Sequence, residues 1–231
     1  MIWFTSDPHF GHSNIMKYEP KRQTFGPTIQ DCDREIIKRF NSKVKPSDTL
    51  YILGDVGLTD QRYLQHCISQ INGTKILVMG NHDRNPVNQY LKFGFTVVCY
   101  EMKLKIAKEF ALLSHYPYRK PWYKALRSFL YGHRQERDRH KRPPNKGSWL
   151  LHGHIHSGGG LIGDGGWKLR GKQINVGVDV WDYYPVSMTQ IENIITAHKS
   201  DTASPALLAK NFVIRIMEAA MFTFRKGLNG F

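Results

Sequence analysis

The stretch Ile76-Leu77-Val78-Met79-Gly80-Asn81-His82-Asp83 decides the fold. Four apolar residues end in a glycine, and three polar residues follow that can bind metal or move protons. A short apolar run closed by Gly and Asn reads as a buried strand stopping at a sharp turn. In an open α/β sheet, sites are built outside such strand ends. Taken alone, Gly80-Asn81-His82-Asp83 is ordinary turn chemistry. Its weight comes from recurrence.

Outward from this strand, Ile2–Thr5 reads as a first strand that delivers Asp7, His9 and His12 to its exit loop. Residues 30–42 carry Ile36, Ile37 and Phe40 at helical spacing. Residues 49–53 form a second buried strand ending in Gly54-Asp55, and residues 61–71 a second helix with Leu64, Cys67, Ile68 and Ile71 on one face. Strands alternating with helices argue βαβ units and a largely parallel sheet. Beyond residue 95 the pattern changes. Short strands at 96–100, 102–107 and 110–114 are consistent with antiparallel pairs, and 149–151 and 173–178 add two more. The expected fold is α/β (α+β): a four-layer sandwich of two mixed β-sheets flanked by helices, with its site at the C-terminal ends of strands. Residues 1–195 form the main domain. A helix over 204–227, capped by Ser204-Pro205, makes 196–231 an extension expected to pack on that domain.

Composition narrows the class. A chain of 231 residues with 41% hydrophobic and 23% charged residues is long enough to bury its own core. Three scattered cysteines do not make a disulfide framework, and point to a reducing, cytoplasmic setting. No apolar run approaches the ~20 residues of a membrane span, and the opening residues lack the pattern of a signal peptide. The net charge of +14 favours anionic partners: nucleic acid, nucleotides or acidic membrane surfaces.

The strand exits carry the chemistry. Asp7 and His9, Asp55, Asn81 and His82, His115, and His154 and His156 follow five separate apolar runs, usually beside a glycine. Carboxylate oxygens and imidazole nitrogens in this mixture suit first-row metals: Mn, Fe, Co, Ni or Zn. There are too many for one ion, and two ions sharing a bridging carboxylate would use the set fully. The series Asp7-x-His9, Gly54-Asp55, Gly80-Asn81-His82-Asp83, His115 and Gly153-His154-x-His156 resembles the signature of the calcineurin-like metallophosphoesterases.

That resemblance implies roles. Asp7, His9 and His156 would bind one divalent ion, Asn81, His115 and His154 the other, and Asp55 would bridge them. A metal-bridged hydroxide would attack phosphorus in line, with manganese favoured in vitro. His82 would sit over the phosphate as the catalytic residue, with Asp83 orienting its ring. His12 is a candidate substrate contact. His152 lies on the same side as His154 and His156 if the strand continues that far, and suits a supporting role.

Residues 118–147 form a basic insertion between His115 and His154. Its Arg119, Lys120 and Arg127 are candidate substrate contacts, interleaved with aromatics that suit nucleic-acid phosphates and bases. The expected function is a metal-dependent phosphoesterase, foremost a nucleotide phosphomonoesterase. A phosphodiesterase or nuclease on cyclic nucleotides or nucleic acid is the alternative, and a nucleic-acid-binding protein without activity is more remote.

Overall fold

The computed structural model describes residues 1–119, 139–157 and 168–202. The chain divides into two compact units, Met1–Ile191 and Glu192–Phe231. The expected helix at 204–227 and most of the basic insertion, with Lys120 and Arg127, lie outside the described residues.

In the first sheet, β1 (Ile2–Thr5), β2 (Thr49–Ile52), β3 (Thr74–Val78) and β4 (Phe95–Cys99) run parallel in that order. The short β10 (Val186–Ser187) closes the edge antiparallel to β1. After the short α1 (Ile15–Tyr18), two helices cover one face. Thr28 and Asp31 form a reciprocal capping box that starts α2 (Ile29–Lys43), and Asp60 caps α3 (Gln61–Ser69). Cys32, Ile36 and Phe40 of α2, and Leu64, Cys67 and Ile68 of α3, bury against Trp3, Leu50 and Ile52 in one core. Alternation along the strands turns Phe4 and Tyr51 to the other face, where their rings stack at 5.3 Å.

The second sheet has the order β5-β6-β7-β9-β8. Strands β5 (Glu101–Ile106) and β6 (Glu109–Ser114) form an antiparallel hairpin through Ala107-Lys108. Both turn residues are left-handed, with φ of 49° and 68°, the geometry that matches strand twist in a two-residue loop. Strands β6, β7 (Trp149–His152) and β9 (Gln173–Asn175) are parallel, and β8 (Leu169–Arg170) returns antiparallel. All four residues of β7 are buried, so both faces of this sheet are covered at its centre. The two mixed sheets and flanking helices are the α/β sandwich expected.

The strand expected at 96–100 does not pair antiparallel with its successor. It is β4 of the first sheet, brought alongside β3 by the short helix α4 (Val87–Lys92), anchored by Tyr90 and Phe93. Six residues are too few for helical periodicity to show in sequence. A longer helix, α5 (Met188–Thr202), also follows β10 unforeseen, although Ser187 caps it through a bond from the Gln190 N–H to its Oγ (3.2 Å). Among the described residues no helix is long and apolar enough to cross a membrane.

The Asp48 carboxylate closes the base of the first sheet. The Met1 amine, the Lys45 N–H and the Trp3 indole all donate to it, and in that order they hold its pKa down to about 2. Because the folded value lies below the unfolded one, this stabilisation is full above pH ~4 and is lost as the pH falls through ~2. Asp48→Asn is expected to lower the melting temperature at pH 7, on the order of 2–4 °C for each hydrogen bond lost. Melting curves of both proteins from pH 7 to pH 2 should show that gap narrowing below pH 4.

Candidate metal centre

The exits of β1, β2, β3, β6 and β7 converge. Asp7, His9, Asp55, His154 and His156 all adopt left-handed backbone, with φ of 59°, 56°, 53°, 73° and 47°. Such non-glycine residues cost on the order of 1–3 kcal/mol each and need surrounding structure to hold them. Cross-strand bonds supply part of that hold: Asp7 N–H to Gly54 O (3.0 Å), His9 N–H to Asp55 O (3.1 Å) and Phe10 N–H to Val56 O (2.9 Å). The two sheets meet where His154 N–H donates to both oxygens of Asp7, at 3.1 and 2.9 Å.

Glycine is needed where the loops touch. A Cβ at Gly153 would overlap Ser6 Oγ and Asp7 Oδ2, and one at Gly80 would strike Asp55.

Two groups of donor atoms result. The ligand atoms of Asp7, His9 and His156 lie within 4.8 Å of one another, as do those of Asp55, His115 and His154. Asn81 Oδ1 joins the second group, 3.0 Å from both His115 Nε2 and His154 Nδ1. Asp55 Oδ2 stands between the groups, 3.6 Å from His9 Nε2 and 3.5 Å from His115 Nε2. The ring orientations are fixed from behind. His115 Nδ1 faces Leu53 O at 2.8 Å and His156 Nδ1 faces Asp179 Oδ2 at 2.7 Å, which leaves each Nε2 for the centre. The buried Nε2 of His9 has no hydrogen-bond partner. A buried nitrogen aimed at a carboxylate oxygen among convergent imidazoles fits divalent cations.

The electrostatics agree. Burial raises the Asp7 carboxyl and lowers His115, and it drives His9 and His154 well below the usual histidine range. Those imidazoles are neutral and offer lone pairs. Burial also pulls on His156, but its bond to Asp179 and the charges of Asp7 and Asp179 outweigh it, raising the pKa to about 9. To hold a cation it would have to give up its proton.

Asp83 does not orient the His82 ring as expected. Its carboxylate accepts the backbone N–H groups of Gly80 (2.7 Å), Asp55 (2.8 Å) and Val56 (2.9 Å), and it pins the exits of β2 and β3 together. Nδ1 of His82 is buried without a hydrogen-bond partner, and its Nε2 lies 4.0 Å from Asp55 Oδ2. His12 lies beside both, with its Nδ1 3.2 Å from Nδ1 of His9 and its ring centroid 5.8 Å from that of His82. His152 ends β7 fully buried with Nδ1 against Gly153 O (2.8 Å). The pleat stops there, so it does not continue through His154 and His156. Arg119 is exposed, tied by its N–H to Pro143 O at 2.9 Å.

Two residues that sequence reading passes over complete the site. The fully buried Arg22 donates through Nε and Nη2 to Asp179 (2.8 and 3.0 Å), through Nη1 to Pro8 O (2.7 Å) and through Nη2 to Asp7 O (2.8 Å). One guanidinium thus fixes the left-handed turn at Asp7 and the carboxylate behind His156. Asp179 follows the exit of β9 and continues the strand-end pattern, a signal in the sequence. Arg22 sits in a 3-10 turn (Pro20–Phe25) with no local signal.

Arg22→Ala, which leaves Asp179 buried and uncompensated, is expected to destabilise the protein by about 3–5 kcal/mol. Asp179→Asn leaves the Arg22 charge uncompensated and is expected to destabilise by a similar amount, and to lower metal affinity by about 10–100-fold through His156. Chemical denaturation and metal titration measure the two effects separately.

Comparison with known proteins places the chain. The calcineurin-like phosphoesterase family matches residues 1–158, which include all seven candidate ligands. The Gene 66 protein of Mycobacterium phage L5 is 28% identical over 199 residues, 78% of this chain and 86% of its own. The protein MJ1445 of Methanocaldococcus jannaschii is 27% identical over 200 residues, 86% of this chain and 93% of its own. The crystal structure of the protein AQ665 from Aquifex aeolicus is 28% identical, with a TM-score of 0.58 over 84% of this chain and 98% of that one. With the family matched across every strand exit of the centre, the chain belongs to the calcineurin-like phosphoesterases and is a two-metal-dependent phosphoric ester hydrolase.

Proposed function

We propose that the protein is a nucleotide phosphomonoesterase that releases phosphate from nucleotides or nucleic-acid ends. The carrying observation is the pair of donor groups that meet at Asp55; the net charge of +14 supports an anionic nucleotide substrate. In this reading Asp7, His9 and His156 hold one ion, Asn81, His115 and His154 the other, and Asp55 reaches both. When bound, the ions supply positive charge for the phosphate oxygens and acidify water near neutral pH.

The chain's own residues do the rest. His82 is half-buried at the opening. Burial, then the neighbouring His12 and Arg84, lower its pKa to about 4. It is therefore neutral at working pH and acts as an N–H donor to phosphate oxygens, stabilising charge that develops there. His9 faces the centre with Nε2, so its Nδ1–H donates to His12 Nδ1. That bond places the His12 proton on Nε2, as a second donor beside His82.

A screen of Mn²⁺, Fe²⁺, Co²⁺, Ni²⁺ and Zn²⁺ against nucleoside monophosphates, 5′-phosphorylated oligonucleotides, cyclic nucleotides and a bis-aryl phosphate tests the reading. Metal-dependent phosphate release from the monoesters, fastest with Mn²⁺, is expected. Faster turnover of the diesters by orders of magnitude would replace it with a phosphodiesterase. His82→Ala should retain both ions by metal analysis and lose about 10²–10³ in kcat. Since His82 is neutral above pH ~4, its replacement should leave the pH–kcat profile between pH 5 and 8 unchanged in shape. Disappearance of a limb in that range would make His82 a proton donor instead.

A further inference from the structure

A cleft of about 720 Å³ lies beside the edge strand β10, in the size range of ligand sites. Trp3, Lys43, Lys168, Trp181, Tyr184 and Gln190 line it, and none of them belongs to the metal centre. Trp181 is held rigidly at one edge, where its indole N–H donates to Asn175 O at 2.7 Å. Lys168 Nζ stands 4.3 Å from the centre of its ring. Tyr184 is flanked likewise, with Lys43 Nζ at 5.4 Å and the Arg39 guanidinium at 5.2 Å from its ring centre.

The acid at this rim is already engaged. The carboxylate of Asp182 pairs with Lys21, and its carbonyl accepts a bond from Arg39 Nη1 at 2.7 Å. Neither Lys43 nor Lys168 lies within ion-pair distance of a carboxylate among the described residues.

Two aromatic faces flanked by cations, one of them fixed in place, are complementary to a planar base joined to a phosphate. Stacking is available to every base, and the ammonium groups that cover the rings can swing to the backbone. We propose that this cleft binds single-stranded nucleic acid, with bases stacked on Trp181 and Tyr184 and Lys43 and Lys168 on the flanking phosphates. The site would grip a strand through residues outside the metal centre, and its occupancy requires no metal.

The test uses the full chain in EDTA, with a fluorescein-labelled oligothymidylate of ten residues read by fluorescence anisotropy at 50 mM salt. Wild type is expected to bind with a salt-dependent Kd. Tyr184→Ala and Lys168→Ala should each raise that Kd about tenfold, and Lys168→Ala should also flatten the salt dependence. Trp181→Phe keeps the ring and should bind within about threefold of wild type. Melting curves establish that each variant is folded; if Tyr184→Ala fails this check, Lys43→Gln takes its place with the same expected loss. Wild-type affinity in the folded Tyr184→Ala and Lys168→Ala variants would assign binding to another part of this basic chain and overturn the proposal. Absence of binding by wild type would overturn it equally. Because no turnover is measured, failure here leaves the phosphomonoesterase reading standing, and failure of that reading leaves this one standing.

Discussion

The candidate metal centre depends on one buried ion pair, Arg22 with Asp179. Removing a guanidinium and a carboxylate from water costs several kcal/mol per ion, recovered only when geometry and extra hydrogen bonds are good. Here they are. Both oxygens of Asp179 are met by the guanidinium, its Oδ2 also faces His156, and two further guanidinium N–H groups reach the carbonyls of Asp7 and Pro8. Burial alone would raise Asp179, but Arg22 and His156 together hold it far below the ordinary carboxylate range. The pair therefore stays charged, and its charge does structural work. It joins the exit of β1, the exit of β9 and the loop after β7, three segments that no single strand pairing ties together.

The left-handed exits explain why such anchoring is required. Five candidate ligands sit in backbone that L-residues disfavour, because each strand must turn sharply to present its side chain beside the next. A regular strand would send alternate side chains to opposite faces and scatter them. Asp83 performs for β2 and β3 what Arg22 performs for β1 and β9. Its three backbone bonds fix where Asp55 and Asn81 begin, and Asp55 Oδ1 in turn accepts the His82 N–H at 2.8 Å. Asp55, proposed to reach both ions, and His82, proposed to act on the phosphate, are thus set by the same turn.

This division of labour governs what could be read from the sequence. Strand exits are local: an apolar run, a glycine, then Asp, Asn or His, and so β1, β2 and β3 with Asp7, His9, Asp55, Asn81 and His82 were legible. Contacts from behind are not local. Arg22 and Asp179 are separated by 157 residues, and an arginine in a polar loop looks like any solvated one until the fold buries it. Asp83 was misread for a related reason. The family resemblance implies a ring partner for His82, whereas the turn directs this carboxylate to three amides. Helix α4 escaped notice because its six residues span less than two turns, and the pairing of β4 went with it.

The Gly80-Asn81-His82-Asp83 turn therefore carries residues whose demands conflict. Gly80 must lack a side chain so that Asp55 can approach, and Asp83 must be buried to hold the amides. Burial raises the Asp83 carboxyl, and desolvation makes His82 neutral. A more open turn would relieve both groups and forfeit both functions, because a solvated Asp83 would bond water and a solvated His82 would titrate near neutrality. The same exclusion of water that makes the turn costly to fold leaves Asn81 Oδ1 and the neutral imidazoles with lone pairs directed inward. In a centre of this kind, a cation that binds only the folded chain would add its binding free energy to stability, so metal affinity and stability are linked.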